Sequence, residues 1–196
     1  METGQRRGVR GQARGARSAR LWLGLSWAIA LLVVGCTPSK RAQCNQLAKA
    51  VNAMQPIAEQ MQAERQKFTQ NEKTARASNR FDAVKQSAAA AAAGFTPLMQ
   101  KLDPLIQDLQ AVKLQDPTLV DLQTRYVQNV QVIRTSLETM TTAFTTISTL
   151  EPNPTGLMNL RRAAQQMAIA EQQMKTAIQT DQQLVTEFNQ YCEIKP

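Results

Sequence analysis

The sequence predicts an all-α protein whose main domain, residues 44–196, is an elongated antiparallel up-down four-helix bundle with kinked helices. Three observations carry this. Beyond residue 44 no stretch of any length alternates apolar and polar residues with the period of two that a half-buried strand needs. Apolar residues recur instead at spacings of three and four, which is one face of a helix. Turns fall near residues 77, 115 and 153, leaving four segments of nearly equal length. Equal helices joined by short turns pack as antiparallel neighbours. At 1.5 Å rise, about 33 residues per helix gives a rod of roughly 50 Å.

The first helix has its seam at Cys44, Leu47, Val51, Met54, Ala58, Met61 and Phe68, with Pro56 marking a bend. Arg65 falls on the same seam, where its stem can cover apolar surface while the head stays in water. The second helix is the clearest. Phe81, Val84, Ala88, Ala91, Phe95, Leu98, Leu102, Leu105, Leu109 and Val112 keep a 3-4 rhythm throughout. Pro97 and Pro104 lie inside it. Proline removes a helix hydrogen bond and kinks the axis, yet Thr96-Pro97 and Asp103-Pro104 also read as a cap followed by a first helical residue. The unbroken register favours one kinked helix over two segments. The third helix opens at Asp116-Pro117 and carries Leu119, Leu122, Tyr126, Val130, Ile133, Leu137, Met140, Phe144 and Ile147. The fourth follows "EPNPTG", with Leu157, Leu160, Ala164, Met167, Met174, Ile178, Val185, Phe188 and Cys192 on its seam.

The N-terminus reads differently. Leu21 to Val34 is a run of 14 uncharged residues, shorter than the roughly 20 that span a bilayer and suited to the core of a secretory signal. Six arginines (Arg6, Arg7, Arg10, Arg14, Arg17 and Arg20) precede it against Glu2 alone, a balance that holds that end in the cytoplasm. The run ends in Val33-Val34-Gly35-Cys36. With these flanks the segment resembles the lipobox of bacterial lipoprotein precursors. That resemblance covers about the first 36 residues. It implies diacylglyceryl transfer to the Cys36 sulfur, cleavage between Gly35 and Cys36, and often acylation of the new amine. It divides the chain into a signal peptide (1–35), a lipidated tether (36–43) and the bundle (44–196). The alternative is an uncleaved signal anchor in which Cys36 is an ordinary thiol. With Thr37 rather than an aspartate after the cysteine, the resemblance implies the bacterial cell envelope, and the outer membrane facing the periplasm where there are two membranes.

The net charge of +8 invites a nucleic-acid reading. The leader holds +5 of it, so the mature chain carries only +3, interspersed and without a basic block. Trp22 and Trp27 also leave with the leader. A solvated helical surface accounts for these charges better than a phosphate-binding face, and nucleic acid is not expected as a partner.

If Cys36 takes lipid, Cys44 and Cys192 remain, an even number in an oxidising compartment where a disulfide is expected. A metal pair or two free thiols are the alternatives, but the chain has no histidine and no C-x-x-C to complete a zinc site. In an up-down bundle the start of the first helix and the end of the fourth share an end, and both cysteines continue their seams inward. Closing the 148-residue separation would restrict the unfolded chain by on the order of 4–5 kcal/mol. The bond would clamp the bundle where a tether from Cys36 pulls on it.

The run Ala88 to Ala93 has two readings. It is a strong helix former that admits close helix approach, with Phe68 and Met140 to Phe144 filling the space opposite. Alternatively it is a thin place in the core that takes a ligand, with Ala88, Ala91, Phe144 and an inward Glu171 as candidate lining. Glu171 and Asp181 are the acids that fall at or near a seam; a wet spot in the bundle explains either better than a ligand group does.

Catalytic machinery is not apparent. The missing histidine removes the commonest general base and the Glu-x-x-His pairs of di-iron bundles. Gly94 and Gly156, the two glycines after the leader, are too scattered for a phosphate loop. Met158, Met167 and Met174 suit soft packing rather than a metal relay. No catalytic residue, metal or cofactor is therefore expected. The sequence favours a lipid-anchored envelope lipoprotein acting as a non-enzymatic structural or protein-interaction module, with the membrane and an envelope protein or polymer as partners. A small-molecule-binding bundle accessory to a sensor or transporter is the alternative.

Overall fold

The computed structural model describes residues 38–193. The expected signal peptide, its Gly35–Cys36 junction and the lipid-bearing Cys36 lie outside them. The described residues are helical throughout, with no strand among them: α1 (Lys40–Asn52), α2 (Gln55–Ser78), α3 (Phe81–Ala111), α4 (Pro117–Ser148) and α5 (Pro154–Tyr191).

The expected first helix is two helices. A continuous helix through Pro56 would lose the bond to the Asn52 carbonyl and crowd it with the proline ring. The chain breaks one turn earlier instead. Ala53 and Met54 donate to Ala50 and Val51 in tightened i→i−3 bonds, and Pro56 sits in the first turn of α2, where its missing N–H costs nothing. The expected seam carries on past the break, with Met61 and Phe68 packed against the core, and departs from the expectation only where Ile57 rather than Ala58 is buried beside Met54. Arg65 points to solvent. The helix α2 ends at Asn79, a left-handed cap with φ 49°.

Pro97 and Pro104 do not break α3, which runs unbroken across both. Both prolines lie on its exposed face, where water can take the carbonyls they leave unbonded. Its seam is buried from Ala88 to Leu109 as the spacing predicts. Phe81 and Val84 are exceptions and stay exposed.

Asp116 caps α4 by accepting from the N–H groups of Thr118 and Leu119, with Pro117 next, and Asn153 caps α5 by accepting from Gly156. The expected seam of α4 is buried or half-buried along its length, and a second strip, Asn129, Ser136 and Ala143, is buried too. The reason is position: α4 packs closely against both α3 and α5, while α2 packs mainly on α3, and α1 on α3 and α4.

The seam of α5 follows the expected one at Leu160, Met167, Met174, Val185, Phe188 and Cys192, which are buried or half-buried, and departs from it elsewhere. Leu157 and Ile178 are exposed, and Gly156, Ala163, Ala170, Ala177 and Leu184 are buried at seven-residue steps. The small residues among them, Gly156 and the three alanines, let the α5 backbone come close to α4. The core joins all five helices, with Leu47, Leu98, Leu102, Leu109, Leu119, Val130, Leu137 and Leu184 almost wholly removed from water.

Candidate functional site

The residues nearest the expected tether build one compact junction. Cys44 on α1 and Cys192 after α5 form a disulfide, with Cα atoms 6.0 Å apart. Beside it the buried Gln43 spans two segments. Its Oε1 accepts from the N–H groups of Gln115 (2.6 Å) and Asp116 (3.0 Å) in the α3–α4 turn, and its Nε2 donates to the Pro38 carbonyl at 2.9 Å. Buried backbone N–H groups need partners, and here a side chain from α1 supplies them. The Tyr191 hydroxyl donates to Asp116 Oδ2 at 2.7 Å, and Lys40 Nζ lies 3.9 Å from the centre of the Tyr191 ring. The Tyr191 bond is the main reason the Asp116 carboxyl titrates below its ordinary range. Desolvation opposes it, and the capped N–H groups of Leu119 and Thr118 and the charge of Lys40 add to the lowering. The same bond raises the Tyr191 phenol. Further along, Arg125 holds Glu187 through two hydrogen bonds (2.7 and 3.0 Å), which lowers the Glu187 carboxyl.

Of the candidate ligand residues, the structure gathers three and leaves one out. Ala88, Ala91 and Phe144 belong to one buried cluster. The Phe144 ring lies 4.7 Å from that of Phe68 and 6.0 Å from that of Phe95, so large rings fill the space beside the alanines. Glu171 is exposed on α5 and takes no part, because the inward register there belongs to Ala170 and Met174.

The inward acid is Asp181. It stands one turn before Leu184 and Val185, and its buried Oδ1 has no hydrogen-bond partner among the described residues. Asp181 faces Tyr126 of α4. Burial pushes the Tyr126 phenol far above its ordinary value, and the Asp181 charge adds to this. At neutral pH Tyr126 is a hydrogen-bond donor, not a base. It also lines a cleft of about 190 Å³ between α1, α4 and α5, with Leu47, Val51, Leu122, Leu184 and Phe188. Spacing alone did not reveal this cleft, because its walls come from three helices whose mutual placement a seam does not give.

A second hollow, of about 400 Å³, lies against the α4–α5 turn and is lined by Phe81, Leu150, Pro152, Leu157 and Leu160 among others. Among the described residues no three metal-ligating side chains gather, and no helix is long and apolar enough to cross a membrane. No family model, curated protein or solved structure matches this chain.

Proposed function

We propose that this chain is a lipid-anchored lipoprotein of a bacterial envelope, probing no substrate and working as a non-enzymatic structural or protein-interaction module. The observation that carries the reading is the junction at the disulfide. Cys44 stands eight residues after Cys36. A load entering through a lipid on Cys36 would reach α5 through the Cys44–Cys192 bond, and the α3–α4 turn through Gln43, instead of peeling α1 away. In this reading the anchor is the outer membrane, facing the periplasm, where the host has two membranes.

The same reading takes the bundle as antiparallel and up-down. Gln60 meets Lys101 while Glu64 lies against Gly94; Asp103 meets Arg134 while Leu109 meets Gln123; Arg125 meets Glu187 while Asn129 meets Ala177. In each pair of helices the numbers run in opposite senses, which supports the arrangement. Two prolines inside α3 support a kinked axis there.

The deciding experiment is the intact mass of the protein extracted from membranes, with and without reduction. The mass of residues 36–196 plus lipid, rising by two hydrogens on reduction, is the expected result. The mass of the uncleaved chain would overturn the anchor. The cleft between α1, α4 and α5 favours a second reading, a small-molecule-binding bundle accessory to a sensor or transporter. It expects a ligand-induced rise in melting temperature that substitution of Tyr126 removes.

A further inference from the structure

We infer that the end of the bundle formed by the α2–α3 and α4–α5 turns docks an acidic protein segment, which seats an apolar side chain in the hollow there. This deepens the reading of the chain as an interaction module and rests on it. Single exposed apolar residues are ordinary on any surface, but contiguous ones mark a contact. Here they are contiguous. Phe81 and Leu157, which together line the hollow, are 41% and 53% exposed, and Met158, the next residue after Leu157 in α5, is 61% exposed. Phe81 belongs to the seam of α3 and Leu157 to the apolar positions of α5, yet neither is covered.

Charge names the partner. Arg161 and Arg162 follow Leu157 and Met158 by one helical turn and so share their faces of α5. Arg80 immediately precedes Phe81, and Lys85 Nζ lies 5.9 Å from the centre of the Phe81 ring. Arg80, Arg161 and Arg162 are exposed, and none pairs with a carboxylate among the described residues. The acids close by are Asp82 and Glu151, so cations outnumber them. Glu151 lines the hollow itself, but the unpaired guanidinium groups next to Phe81 and one turn beyond Leu157 and Met158 outnumber it and complement carboxylates flanking an apolar anchor.

Shape favours a protein over an anionic bilayer. A bilayer engages a projecting apolar face, whereas a hollow of about 400 Å³ takes a knob. Position agrees with this. The 38 residues of α5 span about 57 Å between this end and the disulfide, so the hollow lies at the far end of α5 from Cys44 and the residues that precede it.

The test is photo-crosslinking of the full-length protein in its host. A photoreactive benzoylphenylalanine replaces Met158, and in a control it replaces the exposed Gln183 near the disulfide. The expected result is a discrete protein adduct from position 158, absent from 183, whose crosslinked segment is acidic. Arg161→Glu combined with Arg162→Glu should reduce the adduct about tenfold, since two rim charges are reversed. Circular dichroism should show the variant folded, as both side chains are exposed. Leu157→Ser should reduce the adduct as well. No adduct at 158, lipid adducts, or a protein adduct indifferent to the charge reversal would each overturn the inference. The intact mass separates the two failures: a lipidated chain without an adduct loses the docking end and keeps the anchor.

Discussion

Breaking the Cys44–Cys192 bond tests whether the junction holds the bundle together or merely decorates it. The two sulfurs close a separation of 148 residues. In the chain-entropy description, opening a loop of that length stabilises the unfolded ensemble by on the order of 4–5 kcal/mol. For a chain of this size, 1 kcal/mol moves the melting temperature by about 2–4 °C. Cys44→Ala with Cys192→Ala should therefore melt about 8–20 °C below the parent. Reduction of the parent under native conditions should give a similar loss without the change in side-chain volume. The assay is a circular dichroism melt of both proteins, paired with a urea titration. The folded signal at 20 °C should be unchanged, because Gln43 still holds the α3–α4 turn and Tyr191 still holds Asp116. A loss below about 3 °C would refute the entropic reasoning and mean that the unfolded chain is already compact. Loss of folding at 20 °C would refute the claim that the junction has other supports.

Four further outcomes are expected. Gln43→Ala strands the N–H groups of Gln115 and Asp116 and should cost about 1–3 kcal/mol, with faster hydrogen exchange at those two amides. Gly156→Ala would drive a Cβ into the Glu151 carbonyl oxygen and should destabilise by about 1–3 kcal/mol, whereas at Gly94 the added Cβ meets only the end of the Glu64 side chain, which can swing away, so Gly94→Ala should be neutral or stabilising by up to about 1 kcal/mol in the same urea titrations. Because the Asp116 and Glu187 carboxyls are lowered in the folded state, their stabilisation is complete above their unfolded values and fades as pH falls through the lowered ones; Tyr126 and Tyr191 are raised, so theirs is complete below pH 10 and fades as pH climbs. Tyr191→Phe should thus flatten the urea midpoint against pH below about pH 4 and Tyr126→Phe above about pH 10. Ala170→Leu should overpack the α4–α5 contact and cost about 1–3 kcal/mol, while Ile169→Ala at an exposed neighbour should change the urea midpoint little.

Large apolar residues made most of the fold legible. Where a helix buries Leu, Ile, Val or Phe at 3-4 spacing, as α3 does from Ala88 to Leu109 and α4 along its length, the seam read from spacing is the seam in the core. The disulfide was legible for the same reason, since each cysteine continues such a seam. The first helix was read as bent at Pro56 where it is interrupted one turn earlier, because a seam that continues at 3-4 spacing cannot distinguish a bent helix from one that stops and restarts. The junction partners Gln43 and Tyr191 carried no signal at all: a buried glutamine looks like the many exposed ones until its turn of partners is known.

The error in α5 has a single physical origin, and it also explains Asp181 and the uncovered end. Reading α5 by its apolar spacing favoured Ala164 and Ile178, each one position after the buried Ala163 and Ala177, while Val185 is half-buried beside Leu184. The buried strip is small where it meets α4: Asn129 Nδ2 donates to the Ala177 carbonyl at 3.0 Å. Seven-residue steps from that pair, in the opposite senses the proposed arrangement requires, bring Ser136 to Ala170 and Ala143 to Ala163. All of these are buried. The contact is close because the side chains are small, so its strength comes from packing of backbone against backbone and not from apolar bulk. Once that strip sets the register, the companion positions follow at 160, 167, 174, 181 and 188. Asp181 must then face inward, and Leu157 and Met158 must then face water. The exposed apolar residues at the α4–α5 turn are therefore not a lapse in the core pattern. They lie outside it, on a surface whose composition the packing of α5 leaves free for another purpose.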